Sequence, residues 1–110
     1  MKLIRDRVPE IMAANGEPCA HRIATLGEYR YWLHAKLVEE TAEAIGASVA
    51  HDPAALTGEL ADVLEIVYEL ADLSGITARD LEQARRAKRQ VRGGFTRGVI
   101  WPGPDAAPKE

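Results

Sequence analysis

Residues 25–49 read TLGEYRYWLHAKLVEETAEAIGASV, and this stretch decides the architecture. Thr25-Leu26-Gly27-Glu28 matches a capping box, a hydroxyl at the N-cap with a carboxylate three residues on. A long helix follows, running to about Val49. Just downstream, Asp52-Pro53 places a capping side chain before a proline at the first helical position. It starts a second long helix that ends near Ser74-Gly75. Thr77-Ala78-Arg79-Asp80 starts a third, which continues through Arg85, Arg86, Lys88 and Arg89 until Gly93-Gly94 stops it. Upstream, Val8 to Ala14 fits a short helix, with Pro9 suited to its first turn and Asn15-Gly16 as its stop. Pro18 to Ala24 reads as a short strand or extended loop, and Phe95 to Trp101 as a short strand paired with the one near His21. Pro102 to Glu110, rich in proline, alanine and charge, reads as a loose tail. Three helices carry the core, and the first two long ones are joined closely enough to lie antiparallel. The expectation is an all-α helical bundle with short extended segments near the N- and C-termini. One domain would span residues 1–101, with a tail at 102–110.

The helical faces then locate the unusual residues. Wound at about 100° per residue, the first long helix places Tyr29, Leu33, Leu37, Ala44 and Ala47 on one stripe. Glu40 falls in the middle of that stripe, Glu43 at its edge near Lys36, and Glu39 further round. On the second helix Leu56, Leu60, Val63, Val67 and Leu70 form the apolar arc. Glu59 lies within the edge of this arc and Asp62 borders it, whereas Glu65, Glu69 and Asp72 cluster on the solvated side. Buried acids are normally paired with a cation or coordinate a metal, because a lone buried carboxylate is expensive. With both faces turned inward, Glu40, Glu43, Glu59 and Asp62 converge. Two like charges about 5 Å apart repel by roughly 3 kcal/mol at an effective dielectric near 20. Lys36 can neutralise one charge, and a divalent ion or two the rest. The donors are all hard oxygens, so magnesium or manganese suits them better than zinc or copper. The alternative from the same residues is an internal salt-bridge network of these acids with Lys36 and arginines.

Composition bounds the other classes. The 110 residues are 46% hydrophobic and 28% charged, ordinary for a soluble globular domain. Formal net charge is −3 and the pI near 5.6, which argues against a nucleic acid polymer or an anionic membrane as partner. One cysteine, Cys19, makes an intrachain disulfide and a multi-cysteine zinc site impossible. Neither a signal peptide nor a membrane span is expected, and a cytoplasmic location is the default expectation. The first long helix also carries a second apolar flank, Val38 and Ile45, with Trp32 outside the central stripe. A three-helix chain has few elements to cover that flank, so a homodimer or homotetramer is expected, unless the N-terminal segment or the third helix covers it.

Glu39-Glu40-Thr41-Ala42-Glu43 followed by Glu59-Leu60-Ala61-Asp62 resembles the EExxE…ExxD signature of the all-α nucleotide pyrophosphohydrolase superfamily. That superfamily includes the MazG proteins, the dimeric dUTPases and phosphoribosyl-ATP pyrophosphohydrolase. Lys2-Leu3-Ile4-Arg5-Asp6-Arg7-Val8-Pro9 resembles the KLVRDKIPE opening of its small phosphoribosyl-ATP-pyrophosphohydrolase-like branch. Lys36-Leu37-Val38-Glu39-Glu40, then Glu59 to Glu65, then Lys88 with Arg92-Gly93-Gly94-Phe95, resemble the remainder of that branch. The resemblance implies an α-helical, magnesium-dependent enzyme that cuts a nucleotide between its α and β phosphates, built as a dimer or tetramer.

On this reading Glu40, Glu43, Glu59 and Asp62 are metal ligands, with Mg²⁺ native and Mn²⁺ its substitute. Glu39 positions or deprotonates the attacking water, or is simply an exposed helix glutamate. Lys36 meets phosphate or balances the acids. Arg92 with Gly93 and Gly94 offers a guanidinium and backbone N–H groups to phosphate, or the glycines are a plain helix stop. Lys88 is a second phosphate contact or part of a solvated face. Arg5 and Arg7 are read as structural, pairing with Asp6 or Glu10, and Trp32 and Tyr29 as core or as base-stacking residues. The substrate is a nucleoside triphosphate, with a phosphoribosyl or damaged nucleotide as the enzymatic alternative. A helical module that binds a nucleotide or a partner without turnover is the other.

Overall fold

The computed structural model describes residues 1–107 and contains α1 (Val8–Ala14), α2 (Leu26–Val49), α3 (Pro53–Leu73) and α4 (Ala78–Arg92). Among the described residues there is no strand: residues 18–24 are irregular, and residues 95–101 make a turn followed by irregular chain. Pro18 to Ala24 thus takes the extended-loop alternative, while the strand expected over Phe95 to Trp101 is replaced by a turn and irregular chain. Residues 108–110 of the expected tail lie outside the described part. The chain divides into two compact units, Met1–Ala78 and Arg79–Glu110.

Local chemistry fixes the helix ends. The Thr25 hydroxyl accepts from Glu28 N at 3.3 Å, and Glu28 Oε2 accepts from Thr25 N at 3.3 Å, completing the capping box. Asp52 Oδ1 accepts from Ala55 N at 3.1 Å with Pro53 beginning the helix. Between these helices the chain turns in three residues. His51 sits at φ 54°, while His51 N donates to Ser48 O and Asp52 N to Ala47 O. This is the paired closure of a Schellman motif, with a left-handed residue that is here not glycine. Gly75, at φ 73°, closes α3 in the same way through bonds from Gly75 N to Asp72 O and Ile76 N to Ala71 O.

So short a connection folds α3 back along α2. The register confirms an antiparallel hairpin, because Tyr29 at the start of α2 donates to Glu69 Oε2 near the end of α3 at 3.0 Å, and Glu40 in mid-α2 meets Glu59 in early α3. The buried core of the first unit is small: Leu33, Ala44, Ile66 and Ala71, joined by one charged residue, Glu40, at 6% exposure. Two stripes remain open. On α2, Tyr31, Val38, Ile45 and Val49 are exposed, with the exposed Ala35 and Ala42 completing a 4-3-4-3-4 spacing. On α3, Leu60, Leu64 and Tyr68 are exposed as well. Leu60 thus leaves the inward arc that the helical wheel gave it.

In the second unit α4 ends at Gly93, whose N–H donates to Arg89 O. Glu82 on this helix accepts from Arg85 at 2.6 Å and Arg86 at 3.2 Å, which pulls its carboxyl down to about 2.

Candidate active site

The acids are gathered by two helical repeats. On α2, positions 36, 39, 40 and 43 lie on adjoining turns of one flank. On α3, Glu59 and Asp62 are one turn apart. Because α2 and α3 are antiparallel and in contact, these flanks meet. Single carboxylate oxygens of Glu40, Glu59 and Asp62 lie within 4.8 Å of one another, and those of Glu39, Glu40 and Glu43 form a second such group. Glu40 belongs to both.

Cations reach some of these oxygens. Lys36 Nζ lies 3.2 Å from Glu40 Oε1 and 3.3 Å from Glu39 Oε2. Burial opposes the charge on Lys36, but its hydrogen bonds to Glu40 and Glu39 outweigh that and raise its pKa. Lys2 Nζ stands 3.8 Å from Glu39 Oε1. Arg5 Nη2 donates to Asp62 Oδ1 at 2.6 Å, and this bond raises the guanidinium pKa further. A salt-bridge network is therefore part of the arrangement, yet it is incomplete. Glu40 Oε2 and Glu59 Oε2 are buried and receive no hydrogen bond. With every acid ionised, two oxygens of adjoining carboxylates are left out of water without a donor, which native structures rarely tolerate.

Two things can fill that gap. One is a proton: Glu43, sharing hydrogen bonds toward Glu40 and then Glu59, has its carboxyl pushed up from 4.5 to about 7. The other is a metal ion. The donor set is all oxygen, without histidine or cysteine, and suits a hard divalent cation. The acidic groups fit such an ion, and the donorless oxygens of Glu40 and Glu59 would face it.

A groove of about 550 Å³ opens beside the acids, lined by Glu40 and Asp62, by Lys36, and by Arg5 and Arg7 of the N-terminal segment. Glu65 and Glu69 also line it, so the face read as purely solvated forms part of this groove. Tyr29 sits there too, held by Glu69. Trp32 instead lines a neighbouring groove with Lys2, His21 and Arg22, its ring edge-on to Tyr31 at 5.0 Å.

The expected residues therefore divide. Lys36, Glu39, Glu40, Glu43, Glu59 and Asp62 are brought together in the first unit. Lys88, Arg92, Gly93 and Gly94 belong to the second, where the guanidinium of Arg89 lies against Gly94. Lys2 and Arg5 were missed as members of the acid cluster. Arg7 does pair with Glu10, at 3.7 Å, but Arg5 reaches 57 positions along the chain to Asp62. The signal was the cationic opening segment, Lys2 to Arg7, which local spacing ties to its neighbours and not to α3.

An antiparallel helix pair with facing carboxylates and flanking cations is the framework of the all-α, MazG-like nucleotide pyrophosphohydrolases, hydrolases that act on phosphoanhydrides. Within that superfamily the chain belongs to the phosphoribosyl-ATP pyrophosphohydrolase family, whose model matches residues 2–89. The match takes in the opening segment, both acid-bearing helices and Lys88, and ends before Arg92. No curated protein and no solved structure matches the chain significantly. Among the described residues no helix is long and apolar enough to cross a membrane.

Proposed function

We propose that the chain hydrolyses a nucleotide between its α and β phosphates, releasing pyrophosphate and the monophosphate, with magnesium held by Glu40, Glu43, Glu59 and Asp62. One observation carries this reading: the buried, donorless oxygens of Glu40 and Glu59 on helices of a pyrophosphohydrolase family. A bound divalent ion supplies neutralisation of phosphate charge and acidification of a water molecule. The chain's residues do the rest. Glu40 and Glu59 fix the acid face from the core, and Lys36 holds the Glu40 and Glu39 carboxylates in place. Glu39 is held by two ammonium groups, which fixes its carboxylate to orient water. Lys36 also offers charge to phosphate in the groove. Lys88 and Arg92, with the turn at Gly93 and Gly94, are assigned to phosphate from the same reading.

For the substrate, the family match favours a phosphoribosyl nucleotide bearing a triphosphate, and an ordinary nucleoside triphosphate is the second reading. The exposed α2 stripe of Val38, Ile45 and Val49 supports a homodimer or homotetramer. The test is product analysis with a panel of nucleoside triphosphates and phosphoribosyl-ATP in magnesium. Monophosphate with pyrophosphate is expected. Diphosphate with orthophosphate, or no turnover of any member, would contradict the assignment.

A further inference from the structure

Arg5 stands where the acid cluster meets the groove, and the proposed chemistry leaves it without a part. Its Nη2 touches Asp62 Oδ1 at 2.6 Å, with side chains 60% and 38% exposed. The contact is short, but solvent screens so exposed a pair and keeps it weak. Asp62 is at the same time one of three acids whose oxygens converge within 4.8 Å. Five carboxylates, Glu39, Glu40, Glu43, Glu59 and Asp62, face three contacting cations, Lys2, Lys36 and Arg5. One divalent ion closes that deficit. Lys36 and Lys2 contact Glu39 and Glu40 and make no ion pair with Glu59 or Asp62 among the described contacts. Arg5 alone of the three is bound to Asp62.

The geometry points to Arg5 as an exchangeable counter-cation that covers the Asp62 carboxylate in the metal-free chain and turns to the phosphate of the substrate once Asp62 serves the ion. This rests on the metal reading above. The side chain is suited to both partners. A guanidinium presents its N–H groups in a planar fork that matches carboxylate and phosphate alike. Arg5 also lines the groove together with Arg7 and Lys36, so its second partner needs no rearrangement of the helices. An exposed, weak ion pair is what such an exchange requires.

The experiment titrates Mn²⁺ into the metal-free full chain by calorimetry, then pyrophosphate into the Mn²⁺-loaded chain. It compares wild type with Arg5→Gln, Arg5→Lys and Arg7→Gln, each checked for an intact thermal transition. Arg5→Gln removes a competitor for Asp62 and should bind Mn²⁺ about three- to tenfold more tightly, from screened Coulomb repulsion at a few ångströms. Its affinity for pyrophosphate should fall about tenfold, the loss of one charge-assisted contact. Arg5→Lys should restore Mn²⁺ affinity to near wild type and pyrophosphate affinity only in part. Arg7→Gln, removing an equal charge from the same segment, should leave Mn²⁺ affinity unchanged. Mn²⁺ affinity that is unaltered or weakened in Arg5→Gln overturns the inference, as does unaltered pyrophosphate affinity or an equal effect of Arg7→Gln. A wild-type chain that takes up no Mn²⁺ overturns the metal reading itself.

Discussion

Glu40 has two requirements that conflict. It is the only charged residue among the buried ones described, and one of its oxygens has no donor. Such a residue costs stability and is retained where a site needs it. Glu40→Gln should therefore cut turnover by at least about a hundredfold while leaving the metal-free chain as stable as wild type or more so. Lys36 keeps Glu39 as its partner, so no buried cation is stranded. Steady-state assays and melting curves on the same preparations check both halves. Glu43 gives a pH signature. Its carboxyl ionises near 4.5 ordinarily and at about 7 in the fold, through hydrogen bonds toward Glu40 and Glu59. The folded chain thus holds the extra proton across that window. Stability must fall as pH rises from about 4.5 to about 7, and above that the penalty is complete. The metal-free melting temperature should drop over this range, Glu43→Gln should flatten the drop, and magnesium should offset it. Flat wild-type curves would refute the coupling among Glu40, Glu43 and Glu59.

The helices obey short-range rules, and that is why their ends were legible. Thr25 with Glu28 and Asp52 with Pro53 set the starts of α2 and α3 within a few residues of backbone, and Asn15-Gly16, Ser74-Gly75 and Gly93 close α1, α3 and α4. The inward turn of Glu40 was legible for the same reason, since 3.6-residue periodicity is local. The partner of Arg5 was not, because a contact across 57 positions depends on where the whole N-terminal segment lies. Nor was the exposure of Leu60, because an arc drawn on one helix cannot say how much of it the neighbour covers. The α2–α3 turn carries a specific liability. His51 adopts φ 54°, a region that favours glycine. His51→Gly should stabilise the fold by about 0.5–1 kcal/mol, the usual value of relieving a left-handed residue at a helix end. Chemical denaturation measures it, and a loss of stability would mean the His51 side chain makes a compensating contact.

A chain of 110 residues with so few buried side chains leaves apolar surface to be covered. Exposures of 72% at Val38, 60% at Ile45 and 72% at Val49, in coiled-coil-like spacing, describe a seam with no intrachain partner in the first unit. In the proposed homodimer a second copy would supply the same seam by two-fold symmetry. Light scattering at micromolar concentration should give a mass at least twice 12.0 kDa, and Ile45→Lys should shift it toward the monomer. A wild-type monomer would remove the seam from the account.

In the proposed function the reaction turns on the ion. The most direct test is pyrophosphate release from the preferred nucleotide after exhaustive chelation, followed by graded return of magnesium. The proposed metal centre beside the buried oxygens of Glu40 and Glu59 predicts that release vanishes without metal, returns in a saturable manner with magnesium or manganese, and fails to return in Glu59→Gln. Full pyrophosphate release from the metal-free chain, or full recovery in Glu59→Gln, would contradict a metal centre on α2 and α3.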